Sequence, residues 1–367
     1  MLVGAWYYTS VLRQEALLVI HRPPRPDAEV IEVEGGAVLL RDLSGKPGGA
    51  WAQPGTWGLE WDGGYAQAGD ILDLAPQKVL RELTLLTGAP APGQHVRFDT
   101  FAYPHNPRDA HGIGYREVVF ESEAGQFPAW LVDGDRDTWV IVVHGKGADL
   151  GEPMRILPTL HRHGSPVLVI SYRNDHGGPI DPSGYFRYGV TEWRDLEGAV
   201  EFALGKGARC LVLYGYSMGG SIALSFMQRS AYADRVAGLV LDSPLLDLGQ
   251  TVEERAKEQH APPGVVPLGK VIARWRFGVD WGALNYRRAA EKLEVPVLLF
   301  HGAEDRDIPP GPSDELAEKR PDIVRYHRVD GAGHVCCWNV DPAGYESAVA
   351  GFLNELDATC RAGEDPR

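Results

Sequence analysis

Two rhythms of apolar and polar residues divide the chain. From residue 29 to about 103, short alternating runs are broken by turn residues. Residues 30–34 and 38–41 flank Gly35-Gly36, a pair that reaches positive φ without steric cost, so they predict a β-hairpin. Residues 71–74 and 79–86, separated by 75–77, predict another. Trp51, Trp57, Trp61 and Tyr65 lie between them among many glycines. The pattern predicts a small β-rich domain over 29–110. Pro90, Pro92, Gly93, Pro104 and Pro107 mark linker positions near its end.

From about residue 115 the rhythm changes. Continuous apolar runs at 139–143, 167–170, 211–214, 239–241 and 297–300 alternate with helical patterns at 191–204 and 221–229. Short all-apolar runs between helices are what a parallel sheet buried on both faces requires. The last helix repeats apolar side chains at Tyr345, Val349, Phe352, Leu353 and Leu356, one helical face. The expectation is an α/β fold, a doubly wound and mostly parallel sheet, over 111–358, with a C-terminal tail at 359–367. Ligands of such sheets bind beyond the carboxyl ends of the strands, so chemistry belongs just after each run. The stretch 245–291 is a long excursion between two strands. It is expected to form a short lid, with Pro262, Pro263, Trp275, Phe277 and Trp281 either lining an acyl pocket or packing in the core.

The first 28 residues form an apolar N-terminal segment. Residues 2–12 are about half the length needed to span a bilayer. Arg13, Gln14 and Glu15 then interrupt the run, and neither a basic start nor a small-residue cleavage site is present. The segment is expected to dock on the protein as a helix or strand. The alternative is the tail end of a membrane anchor.

Composition narrows the classes. The 367 residues are 44% hydrophobic and 23% charged, with 50 acidic against 36 basic residues and a net charge of −14. Phosphate binding needs clustered Lys and Arg, so nucleic acid is not the expected partner. Four cysteines without a C-x-x-C pair argue against a disulfide framework and against zinc, and suit a reducing, cytoplasmic setting.

The chemistry sits where the fold expects it. Gly215-Tyr216-Ser217-Met218-Gly219 follows one apolar run and opens a helix. The glycines allow a sharp strand–turn–helix that lifts Ser217 to the top of the sheet as nucleophile. A serine hydroxyl needs a base. His334, in Asp330-Gly331-Ala332-Gly333-His334 after the run 324–329, is the candidate. The base needs a carboxylate to hold its tautomer. Asp305 is preferred over Asp307, with Asp242 third. The tetrahedral oxyanion needs donors. These are assigned to the backbone N–H groups of Met218 and of Lys146, in His144-Gly145-Lys146-Gly147. His144 is read as structural, and the Lys146 ammonium as reaching solvent or a carboxylate. Arg173-Asn174-Asp175-His176 either borders the pocket or is a turn. Glu192, Arg194, Asp195 and Glu197 are read as a solvated or hinge-anchoring helix face, and Cys336 and Cys337 as packing.

On these segments, with Asp242-Ser243-Pro244 and His301-Gly302-Ala303-Glu304-Asp305, residues 115–357 resemble the α/β-hydrolase superfamily of serine hydrolases. The likeness is strongest to bacterial carboxylesterases and serine-aminopeptidase-like members. The resemblance implies a carboxylesterase working through an acyl-enzyme on a small-molecule ester, with no metal or organic cofactor. A peptidase or thioesterase with the same triad is the alternative, with Glu253, Glu254 and Glu258 available to bind a free amine. From another class, a non-catalytic binding protein could keep the scaffold. Related proteins often carry an N-terminal membrane segment, which leaves membrane association open. Lys146 departs from the Gly-rich loop of many lipases. The first hundred residues carry no resemblance, and the sequence does not give the oligomeric state.

Overall fold

The computed structural model describes residues 2–21, 23–45 and 49–362. The β-rich region is a closed six-stranded barrel, built from β1 (Ala28–Glu34), β2 (Ala37–Asp42), β3 (Trp57–Trp61), β4 (Gly64–Ala75), β5 (Lys78–Thr87) and β6 (His95–Asp99). The first hairpin forms as expected, with Gly35 at φ 58° and Gly36 at φ 79°. The second is longer than its apolar runs, because β4 starts at Gly64. Strands β3 and β6 were not foreseen. They complete the ring, which closes by antiparallel pairing of Ala28 with Val96. Inward side chains such as Val30, Leu40, Leu59, Ala66 and Val79 fill it.

After α2 (Pro107–His111) comes an eight-stranded sheet. Its strands are β7 (Arg116–Ser122), β8 (Gly125–Val132), β9 (Thr138–Val143), β10 (Val167–Ile170), β11 (Cys210–Tyr216), β12 (Val236–Asp242), β13 (Val297–Gly302) and β14 (Val324–Val329). Their order is β14-β13-β12-β11-β9-β10-β8-β7. The six from β14 to β10 run parallel, and the hairpin β7–β8 adds an antiparallel edge that the apolar runs did not announce. Alternate residues of each parallel strand enter two cores. Ile141, Leu213, Leu241 and Leu299 face α4 (Trp193–Gly205) and α5 (Met218–Arg229). Val142, Val212, Val240 and Leu298 face α3 (Leu157–His163) and α11 (Pro342–Ala362). Burial on both faces is why these strands read as unbroken apolar runs. The chain leaves β9 toward β10 on one side and returns to β11 on the other. This switch point opens a crevice at the carboxyl ends of β9 and β11.

Between β12 and β13, α6 (Leu248–Glu258), α7 (Val265–Phe277) and α8 (Arg287–Glu291) build the long excursion; α9 (Gly311–Lys319) and the short α10 (Cys337–Val340) follow later. The N-terminal segment is the helix α1 (Leu2–Leu12) with a π-helical turn at Arg13–Leu17. It lies against α7, where the Arg276 guanidinium stacks 3.8 Å from the Trp6 ring centroid. Among the described residues, no helix is long and apolar enough to cross a membrane.

Three expectations need correction. Helix α11 continues through 359 to Ala362, so the tail boundary falls inside it, and 363–367 lie outside the described residues. Its last turns bring Cys360 to Cys210 at the start of β11 as a disulfide, leaving Cys336 and Cys337 as the buried free thiols. Glu192 and Asp195 are not on a solvated face. Asp195 is fully buried and grips the Arg173 guanidinium with both oxygens, at 2.7 and 2.9 Å, while Glu192 accepts the turn amides of Arg187 and Gly189.

Candidate active site

Ser217 stands between β11 and α5 with φ 48° and ψ −112°, a backbone region costly for any residue with a side chain. Its surroundings enforce the turn. A Cβ on Gly219 would sit 2.1 Å from the Val143 carbonyl oxygen, and one on Gly215 2.6 Å from the Gly219 backbone. Glycine at both places lets strand and helix approach closely enough to raise the hydroxyl over the sheet edge.

Three segments far apart in sequence then converge. His334 Nε2 lies 2.9 Å from Ser217 Oγ, and His334 Nδ1 lies 2.7 Å from Asp305 Oδ2. Asp305 is held in turn, since its Oδ1 accepts the N–H groups of Asp307 at 2.9 Å and Ile308 at 2.8 Å. Burial favours the neutral carboxyl of Asp305, but hydrogen bonds from His301 and His334 outweigh it and hold the group well below the usual carboxylate range. Burial also opposes charge on His334. The hydrogen bond and negative charge of Asp305 prevail, and its pKa is raised.

The rival carboxylates are elsewhere. Asp307 is an exposed partner of Arg255 at 3.3 Å. Asp242 is fully buried and accepts from Tyr345 Oη at 2.9 Å and Ser243 Oγ at 3.1 Å.

The N–H of Met218 is at the N-terminus of α5, where helix amides lack intrahelical acceptors. Lys146 lies in the loop after β9, and Gly145 packs so closely that a Cβ there would be 3.3 Å from Ser217 Cβ. Among the described residues, neither the Met218 nor the Lys146 N–H has a protein acceptor. An arrangement of this kind can abstract a hydroxyl proton beside two free amide donors.

The hydroxyl opens into a cleft of about 510 Å³, mostly apolar, with walls from α1 (Val11, Leu12), α6 (Leu248, Val252), Val265 and Trp281. The excursion 245–291 therefore borders the nucleophile. Of its aromatics only Trp281 lines the cleft, while Phe277 is buried in the core and Trp275 is 78% exposed.

Residues 47–99 match the family model described as a domain of unknown function (DUF8805), and residues 134–281 match serine aminopeptidase, S33. An uncharacterized protein of Mycobacterium tuberculosis is 27% identical over 252 residues, 65% of this chain and 79% of that one. One from Bacillus subtilis is 22% identical over 229 residues, 61% of this chain and 73% of that one. Among solved structures, an esterase of Pyrococcus furiosus superposes with a TM-score of 0.54 at 22% identity, covering 69% of this chain and 95% of the other. The chain has the α/β-hydrolase fold.

Asp305 and His334 lie beyond the matched span 134–281, so geometry alone joins them to Ser217. Geometry also identifies residues that sequence reasoning passed over. Glu152, fully buried, accepts the Gly145 N–H at 2.6 Å. Tyr172 donates its hydroxyl to the carbonyls of His144 and Gly145. His144 is structural, as read, with Nε2 2.9 Å from Asp175 Oδ2 and Nδ1 2.9 Å from the Gly145 carbonyl. Burial works against its charge, yet Asp175 and the carbonyl raise its pKa to about 9. Asp175 is therefore a turn residue that anchors the loop. The half-buried Lys146 ammonium donates to the Glu15 carbonyl at 2.8 Å, tying the loop to the N-terminal segment. Glu253 and Glu254 line a separate cleft with Lys257 and Asn285, and Glu258 lies on the far side of α6 with Arg306 and Arg328.

Proposed function

We propose that the protein hydrolyses carboxylic esters through a Ser217–His334–Asp305 triad and an acyl-enzyme. The observation carrying this reading is the continuous hydrogen-bonded chain from Asp305 through His334 to Ser217, opening on an apolar cleft. Ser217 Oγ attacks the ester carbonyl carbon while His334 Nε2 takes the hydroxyl proton. The carbonyl oxygen becomes an oxyanion, received by the N–H groups of Met218 and Lys146. On collapse the C–O bond to the alcohol breaks, and His334 returns the proton to the leaving oxygen. Water, deprotonated by His334, then attacks the acyl carbon; the C–Oγ bond breaks, His334 returns the proton to Ser217 Oγ, and the carboxylic acid leaves. The negative Asp305 holds the imidazole in the correct tautomer throughout.

The mostly apolar walls suit the acyl chain of an ester; of the two acidic residues lining them, Glu15 and Asp307, the latter pairs with Arg255. The acids invoked for amine binding, Glu253, Glu254 and Glu258, are not among the residues lining the cleft. The test is hydrolysis of p-nitrophenyl esters of graded acyl length, with fluorophosphonate labelling of Ser217. Ser217→Ala is expected to lose labelling and to lower kcat by about 10⁶-fold. Parent-level turnover by that variant sinks the proposal, and preferential cleavage of aminoacyl p-nitroanilides replaces it with a peptidase.

A further inference from the structure

We infer that the N-terminal barrel is the scaffold of the His334 loop, and that Asn339 is the positioning residue linking the two. The inference rests on the triad reading above and extends it to a part of the molecule outside the hydrolase sheet.

The loop needs outside support. Val335, directly after His334, has φ 54°, a left-handed conformation that a β-branched residue adopts only when its surroundings dictate it. Two buried groups hold that residue from the sheet side. Arg155 Nη1 donates to the Val335 carbonyl at 2.7 Å, and the Val335 N–H donates to Ser243 Oγ at 3.1 Å.

The remaining support comes from the barrel. Arg155 Nη1 also donates to Asn339 Oδ1 at 2.7 Å. Asn339 Nδ2 donates across the domain boundary to the carbonyls of Thr56 at 2.7 Å and Thr100 at 2.9 Å, and its own carbonyl accepts the Thr56 N–H at 2.8 Å. Both donors of one buried amide are thus spent joining the two domains, while its oxygen holds Arg155. Cys336 packs into the barrel core rather than the sheet core. At Gly55, with φ 94°, an added Cβ would lie 2.3 Å from the Asn339 carbonyl oxygen.

The barrel segment that makes these contacts is itself clamped. Arg81, fully buried inside the barrel, donates Nε to the Gly69 carbonyl, Nη1 to those of Trp51 and Gln53, and Nη2 to that of Gly55. A desolvated guanidinium is costly unless its donors are satisfied. Here they fix the stretch 51–55 that meets the His334 loop. The route runs from Arg81 through that stretch to Asn339, Arg155, Val335 and the imidazole.

Asn339→Asp tests the link in the full chain. The aspartate keeps an acceptor for Arg155 and removes the two donations to the barrel. With active sites counted by fluorophosphonate titration, kcat on a p-nitrophenyl ester is expected to fall by about 10–10²-fold, the scale of a misplacement near 1 Å. KM is expected to stay within about twofold, because no residue lining the cleft changes. The His334 imidazole, followed by NMR titration, is expected to move toward the unperturbed histidine value as its bond to Asp305 loosens. A purely structural role would lower the melting temperature and the count of active sites but leave kcat per site and the imidazole titration unchanged; that result overturns the inference. Gly55→Ala presses on the same contact from the barrel side and serves if the aspartate variant does not fold. If the parent proves inert toward esters and probe, the esterase reading fails while the imidazole titration still decides the scaffold role.

Discussion

At His334 two effects oppose each other, and their balance fixes a pH dependence. Burial disfavours the imidazolium, while the bond to Asp305 and its charge favour it more, so the folded pKa lies above the ordinary value. The pair therefore adds stability that is fully present below about pH 6.5, the unfolded value, and lost as pH rises through the folded pKa. Catalysis needs the neutral ring. The acid limb of kcat/KM is expected above the ordinary histidine range, with Asp305 ionised throughout because its own pKa is depressed. Asp305→Asn removes the cause of the upward shift. The limb is expected to move down and the plateau to fall by about 10⁴-fold. Paired pH–rate profiles check both, and an unmoved limb contradicts the assignment.

The proposed triad Ser217, Asp305 and His334 could be picked out in the sequence because that chemistry demands fixed residue types in the loops after strand ends, whereas Met218 and Lys146 were assigned only by position, as backbone N–H donors. Glu152, Tyr172 and Asn339 were not legible. Each acts on backbone atoms or on a partner whose identity no motif specifies, Glu152 on the Gly145 N–H seven residues away and the others on more distant segments, and such contacts leave no spacing signature in the sequence.

At the scale of elements, continuous apolar runs located the parallel strands to within a few residues. Their ends were less legible, since polar residues such as Asp242 still sit in the ladder. Strands β7 and β8 escaped because an edge hairpin has an exposed face and Pro128 interrupts its pattern. Barrel closure was invisible, as it pairs Ala28 with a strand distant in sequence. Helix α1 was expected either to dock on the protein or to be the tail of a membrane anchor, and in the structure it packs against α7. What it contributes to the cleft wall depends on α7, where Arg276 stacks on Trp6 and donates to Thr9 Oγ1 at 3.0 Å and Ser10 Oγ at 3.2 Å. Arg276→Ala removes a cation–π contact worth about 0.5–2 kcal/mol and should loosen that wall. Turnover of acetate esters is expected to stay at the parent level, while KM for long acyl chains rises severalfold. A chain-length series reads the difference. Equal effects on short and long esters would place α1 outside substrate binding.

At the scale of the whole molecule, covalent stability and chemistry occupy opposite ends of one central strand. Cys210 opens β11 and Tyr216 ends it, so the bond to Cys360 lies about 20 Å along the strand from the nucleophile. It closes a loop spanning 150 residues. In the chain-entropy account, that constraint on the unfolded state is worth about 5 kcal/mol. Distance and rigidity together separate the two consequences of breaking it. Reduction, or Cys360→Ser, is expected to lower the melting temperature while leaving kcat and KM at 25 °C unchanged, because no contact of Ser217, His334 or Asp305 involves either sulfur. Thiol titration of the unfolded chain provides the control. Two thiols are expected before reduction, Cys336 and Cys337, and all four after it. Four thiols in the unreduced chain, with a melting temperature indifferent to reductant, would rule the bond out.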